Sequence, residues 1–262
     1  MFRSTYGRTL HGMRGGLIGW GIGVAATIAM MAAVWPSFAH VDFAALLDQY
    51  PEALKQAFNV ADMSTGSGFL NGELFSIILP AIFAIYGIGR GARTIAGEEQ
   101  AGLLEIIATM PRSRTRLLLE KAAAMATGVA VLGAVLFVSM VVGSALADMG
   151  IGTADAARAS LAMTLLGIEF GAIALAVGAV TGRRSLAIAI SGGLAVASYL
   201  LYLAGQLVDS VHPYLWLSPV HQAISGGPIG PTVPAIMLAL PAVAIVVIAL
   251  SLPVYERRDL TT

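Results

Sequence analysis

Runs of apolar residues separated by short polar stretches set the organisation of this chain. A helix that crosses a bilayer needs roughly 20 apolar residues, and six such runs can be marked. The predicted spans, numbered one to six, are residues 15–35, 69–89, 122–147, 159–182, 185–208 and 232–254. Residues 209–231, which precede span six, are rich in Pro, Gly and aromatic side chains. We therefore expect an outer loop with short helices there.

The composition indicates a membrane protein. Of the 262 residues, 57% are hydrophobic and 11% are charged, whereas about a quarter of a soluble domain is charged. A soluble fold of this size would still have to expose a polar surface, so lipid must surround most of the chain. We predict an all-α polytopic protein in which residues 1–262 form one transmembrane domain. The absence of cysteine excludes disulfides and thiolate metal sites.

The distribution of basic residues predicts the orientation. The formal net charge of zero gives no indication of a nucleic-acid partner. With the N-terminus inside, 13 of the 15 Lys and Arg residues fall on one side, and only Lys55 and Arg158 fall on the other. Because cytoplasmic loops carry the excess of basic residues, we predict a multi-pass protein of a prokaryotic cytoplasmic (inner) membrane with both termini in the cytoplasm. An aromatic belt is expected at the outer boundary, formed by Trp35, Tyr199, Tyr202, Tyr214 and Trp216.

Residues 1–14 have the pattern of an amphipathic helix. Phe2, Tyr6, Leu10 and Met13 recur at spacings of three and four, and the basic residues lie on the other side. Such a helix lies in the membrane interface with its basic face towards anionic headgroups. The alternative is a frayed basic tail that serves only to fix the topology.

The segment from Arg90 to Lys121, between spans two and three, is longer than a simple connection. It combines apolar positions, such as Leu104 and Ile107, with several glutamates, and Pro111 interrupts it. A short helix that is acidic in its first turns and apolar on one side can dock into a groove on another protein. It can equally be an interfacial helix that packs only on its own bundle, and the residues alone do not choose between the two.

Several motifs in this chain occur together, in the same order, in one group of transport proteins. Between spans two and three the relevant residues are Glu98, Gly102, Glu105, Ile106, Ile107, Pro111, Arg112 and Ser113, followed by Lys121. The others are PEALKQAF in the first outer loop, ALAVGAVTGRRS at the end of span four and LWLSPVHQAI before span six. In these features the chain resembles the ABC-2 type exporter permeases, the transmembrane subunits of ABC transporters.

The resemblance implies a division of labour between chains. In that family the loop after span two is a coupling helix that fits into a cleft of an ATP-binding cassette ATPase subunit, and the N-terminal segment is an elbow helix. By this resemblance, the residues that couple to the ATPase are Glu98, Glu99, Gly102, Leu104, Glu105, Ile107, Pro111 and Arg112. Six spans are half of the usual pathway, which implies a second permease copy, as a homodimer or a paralogous heterodimer. The chain has no G-x-x-x-x-G-K-[ST] motif, so ATP hydrolysis is expected in the partner chain.

Span four contains an acidic residue, Glu169, and an ionisable group inside a span is a functional candidate by default. On the opposite side of the same helix, Gly167, Gly171, Ala174 and Gly178 form a stripe of small residues that lets helices approach closely. Glu169 must therefore face a different neighbour, a dimer interface or a water-filled cavity. A role in the substrate pathway and a role as a satisfied structural acid both stay open.

The sequence thus favours an exporter permease that is not itself an enzyme and needs no cofactor. No catalytic arrangement stands out, and the four histidines are not at metal-ligand spacing. The alternative is a secondary transporter or channel driven by an ion gradient, with Glu169 as its ion site. The single charge inside a span and the absence of sequence signs of broken helices or repeats count against it. The pattern does not name the cargo.

Overall fold

A computed structural model describes residues 5–39, 65–100, 113–230 and 232–258, and these form helices and connecting turns without strands. The chain is an all-α polytopic membrane protein. Among the described residues, five helices are long and apolar enough to cross a membrane, and two further helices that meet at a bend of 45° together have the character of a sixth span. The spans are Arg14–Phe38, Gly66–Phe75 with Ile78–Gln100, Arg114–Ala147, Thr153–Thr181, Arg184–Leu207 and Ala235–Arg257.

Spans two and three extend well beyond their apolar stretches. The helix of span two continues to Gln100, and that of span three begins at Arg114. Ser113 caps the second of these helices, since its Oγ accepts the backbone N–H of Arg116 at 3.3 Å. The segment between the two helices, residues 101–112, lies outside the described residues. It holds six of the predicted coupling residues: Gly102, Leu104, Glu105, Ile107, Pro111 and Arg112.

Span two is broken, contrary to the expectation of continuous helices. Its first part ends with a π-helical turn at Asn71–Phe75, and the backbone leaves the helical region at Ile77 (φ −138°, ψ −52°) before the second part begins. Pro80 then lies in the first turn of the new helix, where its missing N–H removes no intrahelical bond. The break divides the span into a short first part, Gly66–Phe75, and a longer continuous second part, Ile78–Gln100.

Span four is the centre of the bundle. In its most apolar stretch 67% of the residues are buried, against 22% in spans one, five and six. The predicted stripe of small residues packs against span two, because a Cβ on Gly87 would overlap the carbonyl oxygen of Gly167, and one on Gly91 would overlap that of Gly171. Glycines on both helices therefore allow backbone-to-backbone contact.

The N-terminal segment forms a helix at Thr5–Gly12, which a turn at Met13 separates from span one. It lies against span three. The carboxylate of Glu120 accepts the backbone N–H groups of Thr5 at 2.9 Å and Tyr6 at 3.3 Å, and the Tyr6 hydroxyl lies 3.1 Å from the Thr127 hydroxyl. These contacts exclude the alternative of a frayed tail for the described part of the segment.

Two members of the expected aromatic belt lie inside the bundle instead. Trp35 is 6% exposed and packs on Phe69, with 5.4 Å between ring centroids, and Tyr202 is 3% exposed. Tyr214 and Trp216 are 57% and 59% exposed. The belt prediction was wrong for Trp35 and Tyr202, because proximity to a span end does not tell which way a side chain points.

Candidate coupling surface and transport pathway

The N-terminal helix and the basic ends of the spans lie together at one end of the bundle, which we call the basic end. The side chain of Arg90 lies on Gly16 of span one, Lys121 meets span two, and Arg258 meets span four. The charge distribution predicts that this end faces the cytoplasm. Residues 101–112 connect two helices that both terminate here.

Lys121 is buried within the basic end, with none of its side chain exposed. Its Nζ donates hydrogen bonds to Glu98 Oε2 at 2.6 Å and to the carbonyl oxygen of Thr94 at 2.5 Å. Thr94 belongs to a π-helical turn, Arg93–Gly97, within the extension of span two. Such turns alter the backbone bonding of a helix and are frequent at functional sites. The ion pair thus joins the extension of span two to the start of span three.

A second ion pair holds the end of span six. The carboxylate of Glu99 pairs with the guanidinium of Arg258, which also donates to the carbonyl oxygen of Ala179 at 2.7 Å. Arg114 donates to the carbonyl oxygens of Tyr255 and of later residues at the same helix end. Sequence reasoning used Arg258 only as a topological charge and missed this role.

Two of the eight predicted coupling residues, Glu98 and Glu99, therefore bind cations of their own chain. Only 25% of the Glu98 side chain and 6% of the Glu99 side chain are exposed. Their charges are neutralised at the point where span two leaves the bundle. In this structure they bind the last described turn of span two, directly before residue 101, to spans three and six.

An apolar cleft of about 340 Å³ lies between spans two and five. Ile85 and Ile88 contribute to one wall, and Ala195 and Leu200 contribute to the other. Among the described residues of the lining, Tyr199 alone has a polar side-chain group, its hydroxyl. A concave apolar wall with one polar group suits a hydrophobic ligand.

The end of this cleft away from the basic end is covered by the connector, which we define as residues 209–230. It contains a 3₁₀ helix at His212–Leu217 and an α-helix at Pro219–Ile224, as the Pro and Gly content predicted. Val220 of the second helix lines the cleft. The connector therefore forms part of the cleft wall.

Two sets of buried hydrogen bonds hold the connector in place. The hydroxyls of Ser218 and Ser198 lie 3.0 Å apart, which joins the connector to span five. The Asn71 side chain exchanges two hydrogen bonds of 3.1 Å with the backbone of Ile229, which joins the connector to the first part of span two. Burial lowers the pKa of His221, and nearby His212 lowers it further, so both effects favour the neutral imidazole.

Glu169 lies inside the subunit. Its side chain is covered by the chain's own helices, with the residue 2% exposed, and its Oε2 has no hydrogen-bond partner among the described residues. This burial excludes the dimer interface as its environment in this conformation.

Comparison with known proteins gives one family. The family described as the multidrug efflux system permease Rv1217c, C-terminal domain, matches residues 2–255. A comparison with curated proteins found no match. The family match covers the first five spans, the segment between spans two and three, and all but the last two residues of span six. It identifies a permease, a transport subunit. The chain therefore belongs to the family of the C-terminal domain of the multidrug efflux permease Rv1217c.

Proposed function

We propose that the chain is the transmembrane subunit of an ABC-2 type exporter, which moves substrate outward across the cytoplasmic membrane with ATP hydrolysed by separate ATPase subunits. The observation that carries the proposal is the pair of helical extensions at the basic end. The helix ending at Gln100 and the helix beginning at Arg114 project beyond the apolar spans and frame the segment that resembles a coupling helix.

Within this proposal the two ends of the segment have different roles. Glu98 and Glu99 hold its base to spans three and six through Lys121 and Arg258. The residues that contact the ATPase are then those of the segment itself, namely Gly102, Leu104, Glu105, Ile107, Pro111 and Arg112. A push on the segment reaches span two through continuous helix and spans three and six through the ion pairs.

The proposed substrate path runs along the apolar cleft. A second permease copy, identical or paralogous, would face spans two and five and enclose the path between the subunits. The lining suits hydrophobic substrates, and the family description of a multidrug efflux permease agrees with this chemistry. Substrate would leave past the connector, so the connector bonds at Ser218 and Asn71 have to yield or shift at that step.

The docking role can be tested by placing a charge on the apolar side of the coupling segment. Leu104→Asp and Ile107→Asp should insert into the membrane normally but lose the ATPase on purification in mild detergent, because a carboxylate cannot enter an apolar groove without a partner. Gln100→Asp, at an exposed position one residue before the segment, is the matched control and should keep the ATPase. Asp variants that still co-purify with a Walker-motif ATPase and transport normally would refute the docking role.

A second candidate function is transport driven by an ion gradient, with Glu169 as the site of a proton or cation. Two observations favour it: the Glu169 Oε2 is buried without a partner among the described residues, and span two is broken, as helices often are in secondary transporters. Glu169→Gln would then abolish transport in proteoliposomes that contain no ATPase. Under the exporter proposal, the unsubstituted chain alone gives no gradient-driven transport in the same vesicles.

A further inference from the structure

A second cavity, of about 210 Å³, lies at the basic end between the N-terminal helix and the inner part of span two. Its described lining shares no residue with that of the apolar cleft. Three arginines, Arg8, Arg90 and Arg93, line it together with Thr9 and Thr94. The volume equals that of about seven water molecules at roughly 30 Å³ each, enough for a phosphate group and part of the group attached to it.

The charge in this cavity is not balanced within the described part of the chain. Glu98 is the one acidic residue in the lining, and its carboxylate is already paired with Lys121. Arg8, Arg90 and Arg93 make no ion pair with a described carboxylate. Three guanidinium groups therefore face a small space in which the described residues supply no free counter-charge, and such an arrangement favours an anion.

One of the three arginines is held in place before any ligand binds. Arg90 extends across span one at Gly16, where a Cβ would overlap its Nη2 atom. On its other side the guanidinium carbon lies 5.1 Å from the centre of the Tyr86 ring, a cation–π contact. Its remaining N–H groups can serve an anion in the cavity without a large loss of side-chain entropy.

The cavity lies where the bundle passes from a basic to an apolar surface. The N-terminal helix forms one wall. On the face of span one that carries Gly16, against which Arg90 lies, the next turns hold the partly exposed Trp20 and Gly23, where a Cβ would meet nothing within 4 Å. A molecule with a phosphate in the cavity would therefore have a lipid-facing apolar helix beside it. This is the combination that an anionic phospholipid requires, and basic pockets between spans on the cytoplasmic side bind such headgroups.

We propose that the cavity of Arg8, Arg90 and Arg93 binds the phosphate headgroup of an anionic phospholipid, whose acyl chains lie along span one. The shared chemistry is that of a phosphate group, and the open apolar face of span one at Trp20 and Gly23 favours the lipid over a soluble phosphate. The site depends on the bundle and the membrane alone, so it stands whether or not an ATPase drives transport.

The test measures lipid retention by the full chain purified from nanodiscs that contain equal amounts of phosphatidylglycerol and phosphatidylcholine. Native mass spectrometry should show a tightly bound phosphatidylglycerol on the wild type. Arg93→Gln changes an exposed side chain and should weaken retention about fivefold, and replacing Arg8, Arg90 and Arg93 together should weaken it about a hundredfold. Arg183→Gln, an exposed arginine elsewhere on the basic end, should retain the lipid at the wild-type level.

Three results would overturn the proposal. Equal retention of the two lipids by the wild type would show that the site does not select negative charge. Displacement of phosphatidylglycerol by millimolar inorganic phosphate would assign the cavity to a soluble anion. Arginine variants that keep the lipid but lose a co-purifying ATPase would identify the cavity as a protein docking site. If the triple variant fails to fold, the lipid retention of Arg93→Gln still tests the proposal.

Discussion

Removing Glu98 should destabilise the protein through the charge it leaves behind on Lys121. The Lys121 side chain is fully buried, and Glu98 and the Thr94 carbonyl are the two hydrogen-bond partners of its ammonium group. Removing one partner of a buried ion pair costs about 3–5 kcal/mol. Because 25% of the Glu98 side chain is exposed and water can partly replace the carboxylate, we expect Glu98→Gln to lower the free energy of unfolding by about 2–3 kcal/mol.

Replacing both partners should be far less damaging. Lys121→Met removes the buried charge and fills a similar volume, so Glu98→Gln adds little in that background. The double-mutant cycle should give a coupling free energy of about 2 kcal/mol. Arg116 forms an exposed pair with Glu120 (2.9 Å, 67% of the Arg116 side chain exposed) on the same helix. Arg116→Gln is the control and should cost at most about 0.5 kcal/mol.

The assay is equilibrium unfolding of the purified protein in mixed micelles of dodecyl maltoside and SDS. The free energies of unfolding of the wild type, the two single variants and the double variant complete the cycle. Additive effects of the two substitutions would show that the ion pair contributes nothing beyond its separate side chains, and the reasoning from burial would then be wrong. A loss in Arg116→Gln as large as that in Glu98→Gln would also refute it.

Two further predictions concern the packing and the orientation of the bundle. Gly87→Ala should destabilise the protein by several kcal/mol on the scale of overpacked cores, because the new methyl group meets the carbonyl of Gly167. In the control, Gly89→Ala, the methyl group meets nothing within 4 Å, and the change should be neutral or stabilising by at most about 1 kcal/mol. Equal melting temperatures for the two variants would contradict the contact at Gly87. In the cysteine-free chain, Ala154→Cys should react with an impermeant maleimide in intact cells and Ala108→Cys should not, and the reverse labelling pattern would invert the predicted topology.

The all-α polytopic fold could be predicted from the sequence, because an apolar run of about 20 residues has few other physical explanations. The sequence did not predict the break in span two. Ser76 and Ile77, where the helix bends, have no breaking tendency of their own, and Pro80 is also tolerated in the first turn of a helix. The stripe at Gly167 and Gly171 predicted that another helix packs closely on span four. It did not predict that this helix is span two, because the sequence does not tell which helices lie side by side in the bundle.

The ion pairs at the basic end were not predictable from a count of charges. Glu98 and Lys121 are 23 residues apart, and Glu99 and Arg258 are 159 residues apart. The orientation rule uses such basic residues only as a sum over one side of the membrane. The rule does not distinguish basic residues that face headgroups or a ligand, as Arg93 does in our proposal, from basic residues that join two helices, as Lys121 does.

The break at Ser76 and Ile77 gives span two the mechanics of a lever with a pivot near one end. From Ile78 to Gln100 the helix is continuous over 23 residues, or about 34 Å at 1.5 Å per residue. One side of this arm carries the cleft wall at Ile85 and Ile88, and its tip reaches the basic end. A small tilt at the tip would therefore displace the cleft wall before the bonds between Asn71 and Ile229, which hold the short first part of the span, have to change.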